Sequence, residues 1–252
     1  MPAEAHPQNR ELAAEFAQLR PWIFKFRIEG VDYGGEISAL GDVRLTQFWQ
    51  SAPDARRILE LGALEGAHTV QLAARRGVER VVAIEGRAAN IRKAELVLRC
   101  SKTRNAEFVE ANLEGMDLTT LGQFDAVFCS GLLYHLPEPW TLLEQLPRVA
   151  PQLFLWTHYA DDLLANEKRQ GLRGQVHNEG GPDEPLSGMS PTAFWPTLGS
   201  LLHLLTTSGY QSAHVIYNDV CHQNARAVTI AASTAESLAP PPRRGFFRRG
   251  PP

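Results

Sequence analysis

The chain has 252 residues, 44% hydrophobic and 21% charged, with 25 Lys+Arg against 28 Asp+Glu and a formal charge of −3. That length accommodates one sizeable domain with additions, around a core of ordinary size. The charge lacks the bulk positive field with which most nucleic-acid-binding domains neutralise phosphates, so bulk polyanion binding is disfavoured.

The opening MPAEAHPQNR has no basic stretch followed by a long apolar run, and nowhere do about 18 apolar residues run together. A soluble, unsecreted, cytoplasmic protein without a membrane segment is therefore expected. A helix is expected over Glu11–Leu19, followed by the extended stretch WIFKFRIEG and a Tyr33-Gly34-Gly35 turn, so that residues 1–53 form an N-terminal cap. From about residue 54, short runs rich in Val, Ile, Leu and Phe alternate with longer amphipathic segments. This is the pattern of βαβ units and of an open, mostly parallel α/β sheet. Strands are expected at Arg57–Leu61, Arg80–Glu85, Glu107–Glu110, Asp125–Cys129 and Leu153–Thr157, and helices at Gly66–Arg76, Ala88–Cys100 and Pro139–Arg148.

Beyond the fifth strand, Gln170–Met189 repeats Gly, Pro, Asn and Asp and reads as a long irregular loop. Its part Gly171–Met189, with His177, Asn178, Glu179, Asp183 and Glu184, is the expected lid over a substrate. A helix from Pro191 to Thr207 and two β-like runs, Ser212–Tyr217 and Ala225–Ala231, follow, the runs close enough to form an antiparallel hairpin that completes a domain over residues 54–234. Residues 235–252 end the chain as a basic Pro/Arg tail. From Glu236 to Pro252 it reads ESLAPPPRRGFFRRGPP, carrying +3 and leaving −6 on the rest. Such a composition builds no core and is expected to be disordered. Cys100, Cys129 and Cys221 are odd in number, far apart and free of any C-x-x-C pair, which indicates reduced thiols, with Cys129 packed in a strand.

The chemistry starts at the first strand, which ends Ile58-Leu59-Glu60-Leu61-Gly62-Ala63-Leu64-Glu65-Gly66. A strand running into a glycine turn and then a helix brings backbone amides and a helix N-terminus to the carboxyl edge of the sheet, where a ligand binds. Leu64 occupies the position where a dinucleotide fingerprint needs glycine for close approach of a pyrophosphate, and there is no G-x-x-x-x-G-K-[ST] loop. The E-x-G-x-x-x-G that remains suits a ligand with an ammonium group and no phosphate, such as S-adenosylmethionine. Glu85, 23 residues after Gly62, ends the second strand, where a carboxylate can accept hydrogen bonds from both ribose hydroxyls of a bound nucleoside. Asn112, at the end of the third strand, is the candidate for the adenine edge.

The pieces ILELGALEGAHT, VVAIEGR, FVEANL and FDAVFCSGLLYHLPEPW resemble the class I S-adenosylmethionine-dependent methyltransferases in order and spacing, over about residues 55–160. The aromatic-His-Leu-Pro after the fourth strand is similar to a subset that includes small-molecule methyltransferases and transfer-RNA wobble-uridine carboxymethyltransferases. The resemblance implies a Rossmann-like seven-stranded α/β sheet with an antiparallel last strand, carrying the N-terminal cap and a lid insertion after the fifth strand. It implies that Glu60, Gly62 and Gly66 line the methionine part of the cofactor, Glu85 the ribose, Asn112 and Leu113 the adenine, and Ser130 the floor beneath the sulfonium. Ala63, Thr69, Gly86 and Arg87 are implied as further cofactor-binding neighbours.

Methyl transfer from a sulfonium is an in-line displacement with a neutral leaving group, so the protein must chiefly align the acceptor and exclude water. A hydroxyl or protonated amine acceptor also needs a base, and histidine is suited to that. Tyr134 and His135 follow the fourth strand where acceptor and methyl group would meet, making His135 the first candidate base. His158, in the cluster Trp156-Thr157-His158-Tyr159, is the second. His158, Asp161 and Asp162 are near neighbours, but their spacing is loose and Asp161-Asp162 also suits a helix start, so no metal is assigned. The expected function is methylation of an oxygen or nitrogen of a small, neutral or cationic metabolite, with no nucleic-acid or membrane partner and a homodimer allowed. The alternatives are a tRNA-modifying methyl or carboxymethyl transferase and a non-catalytic S-adenosylmethionine-binding protein.

Overall fold

The computed structural model describes residues 7–222 and 225–235; the expected tail lies outside the described residues. Helix α1 (Pro7–Gln18) precedes a small sheet of β1 (Phe24–Ile28), β2 (Val31–Gly34) and β3 (Ile37–Ser38), in the order β2-β1-β3. Phe16, Trp22, Phe26 and Tyr33 form its aromatic interior. Helix α2 (Val43–Ser51), absent from the sequence-based expectation, is capped by Asp42, whose side chain accepts from the Arg44 amide, and buries Leu45 and Phe48.

The central sheet is built from β4 (Arg57–Leu61), β5 (Arg80–Glu85), β6 (Ala106–Glu110), β7 (Ala126–Ser130) and β8 (Gln152–Tyr159). It is completed by β12 (Ser212–His222) and β13 (Ala225–Ser233), an antiparallel hairpin longer than its two sequence runs. Its order is β12-β13-β8-β7-β4-β5-β6, with β13 antiparallel to β8 and the five strands from β8 to β6 parallel. This is the seven-stranded Rossmann-like sheet that the motifs imply. Strands β4, β5 and β7 are near-continuous apolar runs because helices cover both of their faces. One face packs α2 and α3 (Ala67–Ala73) through Phe48, Leu72 and Phe128. The other packs α5 (Pro139–Leu143), α6 (Leu146–Val149) and α7 (Leu198–Ser208) through Leu143, Leu146, Leu201 and Leu205. Helix α4 (Ala88–Cys100) runs between β5 and β6, and Leu96 and Val97 join the cap's aromatic cluster.

Three expectations are corrected. Gln170–Met189 is not wholly irregular: β9 (Glu167–Arg169), β10 (Leu172–Asn178) and β11 (Thr192–Pro196) form a three-stranded antiparallel sheet. Gly174, which reads as a breaker, serves close packing there, since a Cβ would lie 2.3 Å from the Trp195 carbonyl oxygen. The helix expected from Pro191 starts only at Leu198, because Thr192–Pro196 pairs with β10 and Thr197 then caps α7 by accepting from the Ser200 amide. The helix expected over Pro139–Arg148 is two short helices, and Pro147 sits in the first turn of the second, where its missing N–H costs nothing.

Candidate functional site

Adjacent strands β4 and β7 connect in opposite directions across the sheet, so their carboxyl ends open a crevice. A cavity of about 590 Å³ lies there, a size ordinary for a small-molecule site. The strand ends, the cap residues Phe24, Arg44 and Gln47, and Pro185–Met189 of the insertion all line it.

At the end formed by the glycine turn, Gly62, Leu64 and Gly66 all have positive φ. A Cβ on Gly66 would sit 3.0 Å from the Phe108 ring, so glycine is required by the turn and by packing. The amides of Gly62 and Ala63 donate to the Ile84 carbonyl at 2.9 and 3.0 Å, and Leu64 donates to Glu85 Oε2 at 2.9 Å. The amides of Gly62, Ala63 and Leu64 are therefore already used, which fits a ligand without phosphate. Glu85 Oε1 also accepts from the Arg87 amide at 2.9 Å and Asn90 Nδ2 at 3.1 Å, while burial pushes its carboxyl above the usual range. Gly62, Ala63, Glu85, Gly86, Arg87, Asn112, Leu113 and Ser130 line the cavity. Glu60, Gly66 and Thr69, expected to touch the cofactor, do not line the cavity: Gly66 closes the turn, and Glu60 and Thr69 are buried behind it. Glu60 Oε2 accepts from Thr69 Oγ1 at 2.6 Å, and burial, with the charge of Glu85 adding to it, pushes the Glu60 carboxyl up to about 8. The Arg87 guanidinium turns to the insertion, donating to the carbonyls of Gly181, Pro182, Glu184 and Ser187.

The other end is aromatic and histidine-rich. Tyr134 and His135 lie on a 3₁₀ turn, Leu133–His135, directly after β7. His135 Nδ1 is 3.0 Å from Glu179 Oε2. A carboxylate only accepts, so Nδ1 carries the proton and Nε2 is the free basic nitrogen of the neutral ring. Burial opposes ionisation of Glu179, but hydrogen bonds from His135, Ser187 and the Gly188 amide outweigh it and hold the carboxyl below its usual range. His158 Nδ1 likewise donates to the Arg226 carbonyl at 3.0 Å. Burial, helped by the nearby imidazoles of His222, His135 and His177, holds His158 below its ordinary value and so neutral. Tyr134 packs between the two histidines, 4.1 Å from His135 and 4.5 Å from His158 between ring centroids, and burial pushes its phenol up to about 12. Trp195 of β11 stacks on His158 at 5.1 Å and donates from Nε1 to the Tyr134 carbonyl at 2.6 Å. Asp161 is not available as a metal ligand beside His158, because it pairs with Arg226 and accepts from the Leu163 amide in a turn. Cys129 is fully buried strand packing.

Sequence reasoning missed several residues of the cavity wall and their supports. Arg44 donates from Nη1 to Ser130 Oγ at 3.1 Å, lies 5.1 Å over the Trp156 ring and is held by Asp42, which also accepts from His68 Nε2 at 3.0 Å. Burial works against the Asp42 charge, but the bonds from His68 and Arg44 hold its carboxyl far below the usual range. Glu179, Trp195, Asp219 and His222 were also unassigned. Asp42 was legible as a helix cap; the others depend on segments that meet only in the fold.

A family model described as a methyltransferase domain matches residues 59–152. The N-terminal domain of EvdMO1, solved in the presence of SAH and D-fucose, is 34% identical with a TM-score of 0.82, covering 89% of this chain and 96% of that domain. A structure of EvdMO1 is 32% identical with a TM-score of 0.72, and the match covers 92% of this chain and 49% of that chain. The tRNA U34 carboxymethyltransferase of Mannheimia succiniciproducens is 28% identical over 165 residues, 64% of this chain and 47% of that enzyme. The chain thus spans about half the length of this curated relative. With its motif turn, its seven-stranded sheet and these matches, the chain belongs to the class I S-adenosylmethionine-dependent methyltransferases.

Proposed function

We propose that the protein transfers a methyl group from S-adenosylmethionine to a hydroxyl oxygen of a small molecule, with His135 as general base. The pairing of His135 with Glu179 beside the cavity carries this reading: a carboxylate fixes the tautomer and stabilises the imidazolium that forms as the proton arrives. The cavity suits the cofactor. Glu85 keeps acceptor capacity for a ribose hydroxyl beyond its three N–H partners. Arg44 is a cation within reach of a carboxylate, and the amide-satisfied turn makes no demand for phosphate. When bound, the cofactor supplies an electrophilic methyl group on a sulfonium sulfur that leaves neutral. His135 Nε2 takes the hydroxyl proton, Tyr134 and Trp156 shape the approach, and the insertion excludes water while presenting Glu179.

The similarity to EvdMO1, studied with SAH and D-fucose, supports a hydroxylated acceptor. Transfer of radiolabel from S-adenosylmethionine to a panel of polyols tests the reading. His135→Ala should lower kcat by roughly 10²–10⁴-fold with SAH affinity unchanged, and an unaltered rate would remove His135 as base. The match to a tRNA U34 carboxymethyltransferase favours an RNA acceptor instead; a salt-sensitive gel shift with tRNA would support it. The charge of −6 outside the tail and a cavity walled by cap and insertion speak for the small molecule.

A further inference from the structure

The cavity extends past the proposed base onto three strands whose register brings chemistry together. Trp156 on β8 pairs with Thr229 on β13, which pairs with Tyr217 on β12. Two residues along, His158 pairs with Ala227, which pairs with Asp219. Residues two apart on a strand point to the same face, so these rows form one floor. Trp156, Thr229, Tyr217, His158 and Asp219 all line the cavity, and Ala227 offers only a methyl group between His158 and Asp219. An irregularity in the pairing between Asp219 and His222 accompanies the entry of His222 into the same floor. Its ring lies 5.4 Å from Trp156 and 5.6 Å from His158, and its Nδ1 is 3.4 Å from Asp219 Oδ2. None of these β12 groups takes part in the proton transfer proposed above.

We propose that this floor is an acceptor subsite for a pyranose or similar cyclic polyol, in which Asp219 and His222 bind hydroxyls next to the one that is methylated. The inference rests on the proposed methyl transfer to a hydroxyl and adds the substrate class. A pyranose has an apolar C–H face that suits the Trp156 and Tyr217 rings. Its hydroxyl rim needs acceptors, and a carboxylate with free lone pairs next to an imidazole supplies them. Asp219 Oδ1 accepts from the Cys221 amide at 3.1 Å and Oδ2 faces His222, which leaves each group capacity for a ligand hydroxyl. A ring with a single hydroxyl satisfies the base but leaves that capacity unused, which discriminates against it.

The test uses the SAH-saturated full chain with D-fucose, D-galactose, D-glucose, L-rhamnose and cyclohexanol as probes, read by saturation-transfer NMR and by quenching of tryptophan fluorescence. At least one pyranose should bind, and cyclohexanol at least ten-fold more weakly. Asp219→Asn and His222→Ala should each weaken that pyranose by ten-fold or more while SAH affinity holds. Equal pyranose affinity in wild type and both variants overturns the subsite, as does the absence of pyranose binding to SAH-loaded protein. Failure of the wild type to bind SAH overturns the cofactor reading along with it, and is seen separately, before any sugar is added.

Discussion

Glu60 and Glu85 show how position along one sheet edge separates two carboxylates. Both are buried, but Glu85 faces the cavity with three N–H donors on it, whereas Glu60 has the Thr69 hydroxyl and stands behind the turn. A folded-state value of about 8 for Glu60, against 4.5 as its ordinary value, means that the native state binds the extra proton between those pH values. Its contribution to stability is therefore present below about pH 4.5 and is lost as pH rises through 8. Glu60→Gln mimics the protonated form, so its Tm should match wild type near pH 5 and exceed it at pH 9, by at least roughly 3 °C in a scanning calorimeter. Equal pH profiles would show that Glu60 ionises freely in the fold. Both acids were visible in the sequence, since each holds a fixed offset from the turn. Their different surroundings were not, because burial depends on what packs over them.

The insertion is the element whose role changes most. Several bonds join it to the rest: Arg87 donates to its carbonyls, Glu179 receives His135, Ser187 and the Gly188 amide, Ser190 donates to Glu114, and Trp195 donates to the Tyr134 carbonyl. Arg87 stands at the Glu85 end of the cavity and Glu179 beside His135, so one element reaches both ends. Arg87→Ala should accelerate amide exchange across residues 180–188 and weaken SAH binding by roughly ten-fold, the scale of losing charged hydrogen bonds. Unchanged exchange there would mean that Arg87 does not hold the element down. The composition of this stretch announced a covering segment, yet its strands were hidden: Gly174 read as a breaker, and only the neighbouring Trp195 and Phe194 explain why glycine is needed there. The cap is tied in a comparable way. Glu65, inside the motif turn, accepts from the amides of Ile23 and Phe24 and from Lys93 Nζ, so the cap is fastened to the glycine turn that walls one end of the cavity.

Across the whole molecule, the cap, the central sheet and the insertion share one cavity, with the β8-β13-β12 strands forming its floor. A ligand that bridges them stabilises the folded state as a unit. SAH at a hundred-fold excess over its Kd should raise the Tm by roughly 5–10 °C, measured by differential scanning fluorimetry. No shift at millimolar SAH would contradict the cofactor assignment.

The sequence by itself determined the alternation of strands and helices, the carboxyl-edge turn at Gly62 and Gly66, the acid at Glu85 and the histidine after the fourth strand. Each of these is local or keeps a fixed spacing within one βαβ unit, so hydrophobic period and turn chemistry suffice to reveal it. Only the tertiary structure decided that Arg44 meets Ser130, that Glu179 orients His135, and that Asp219 and His222 share a floor with His158. Those partners come from segments 44 to 86 residues apart or from strands whose mutual register the sequence does not encode locally, and a register shift of one residue would turn Asp219 away from the cavity.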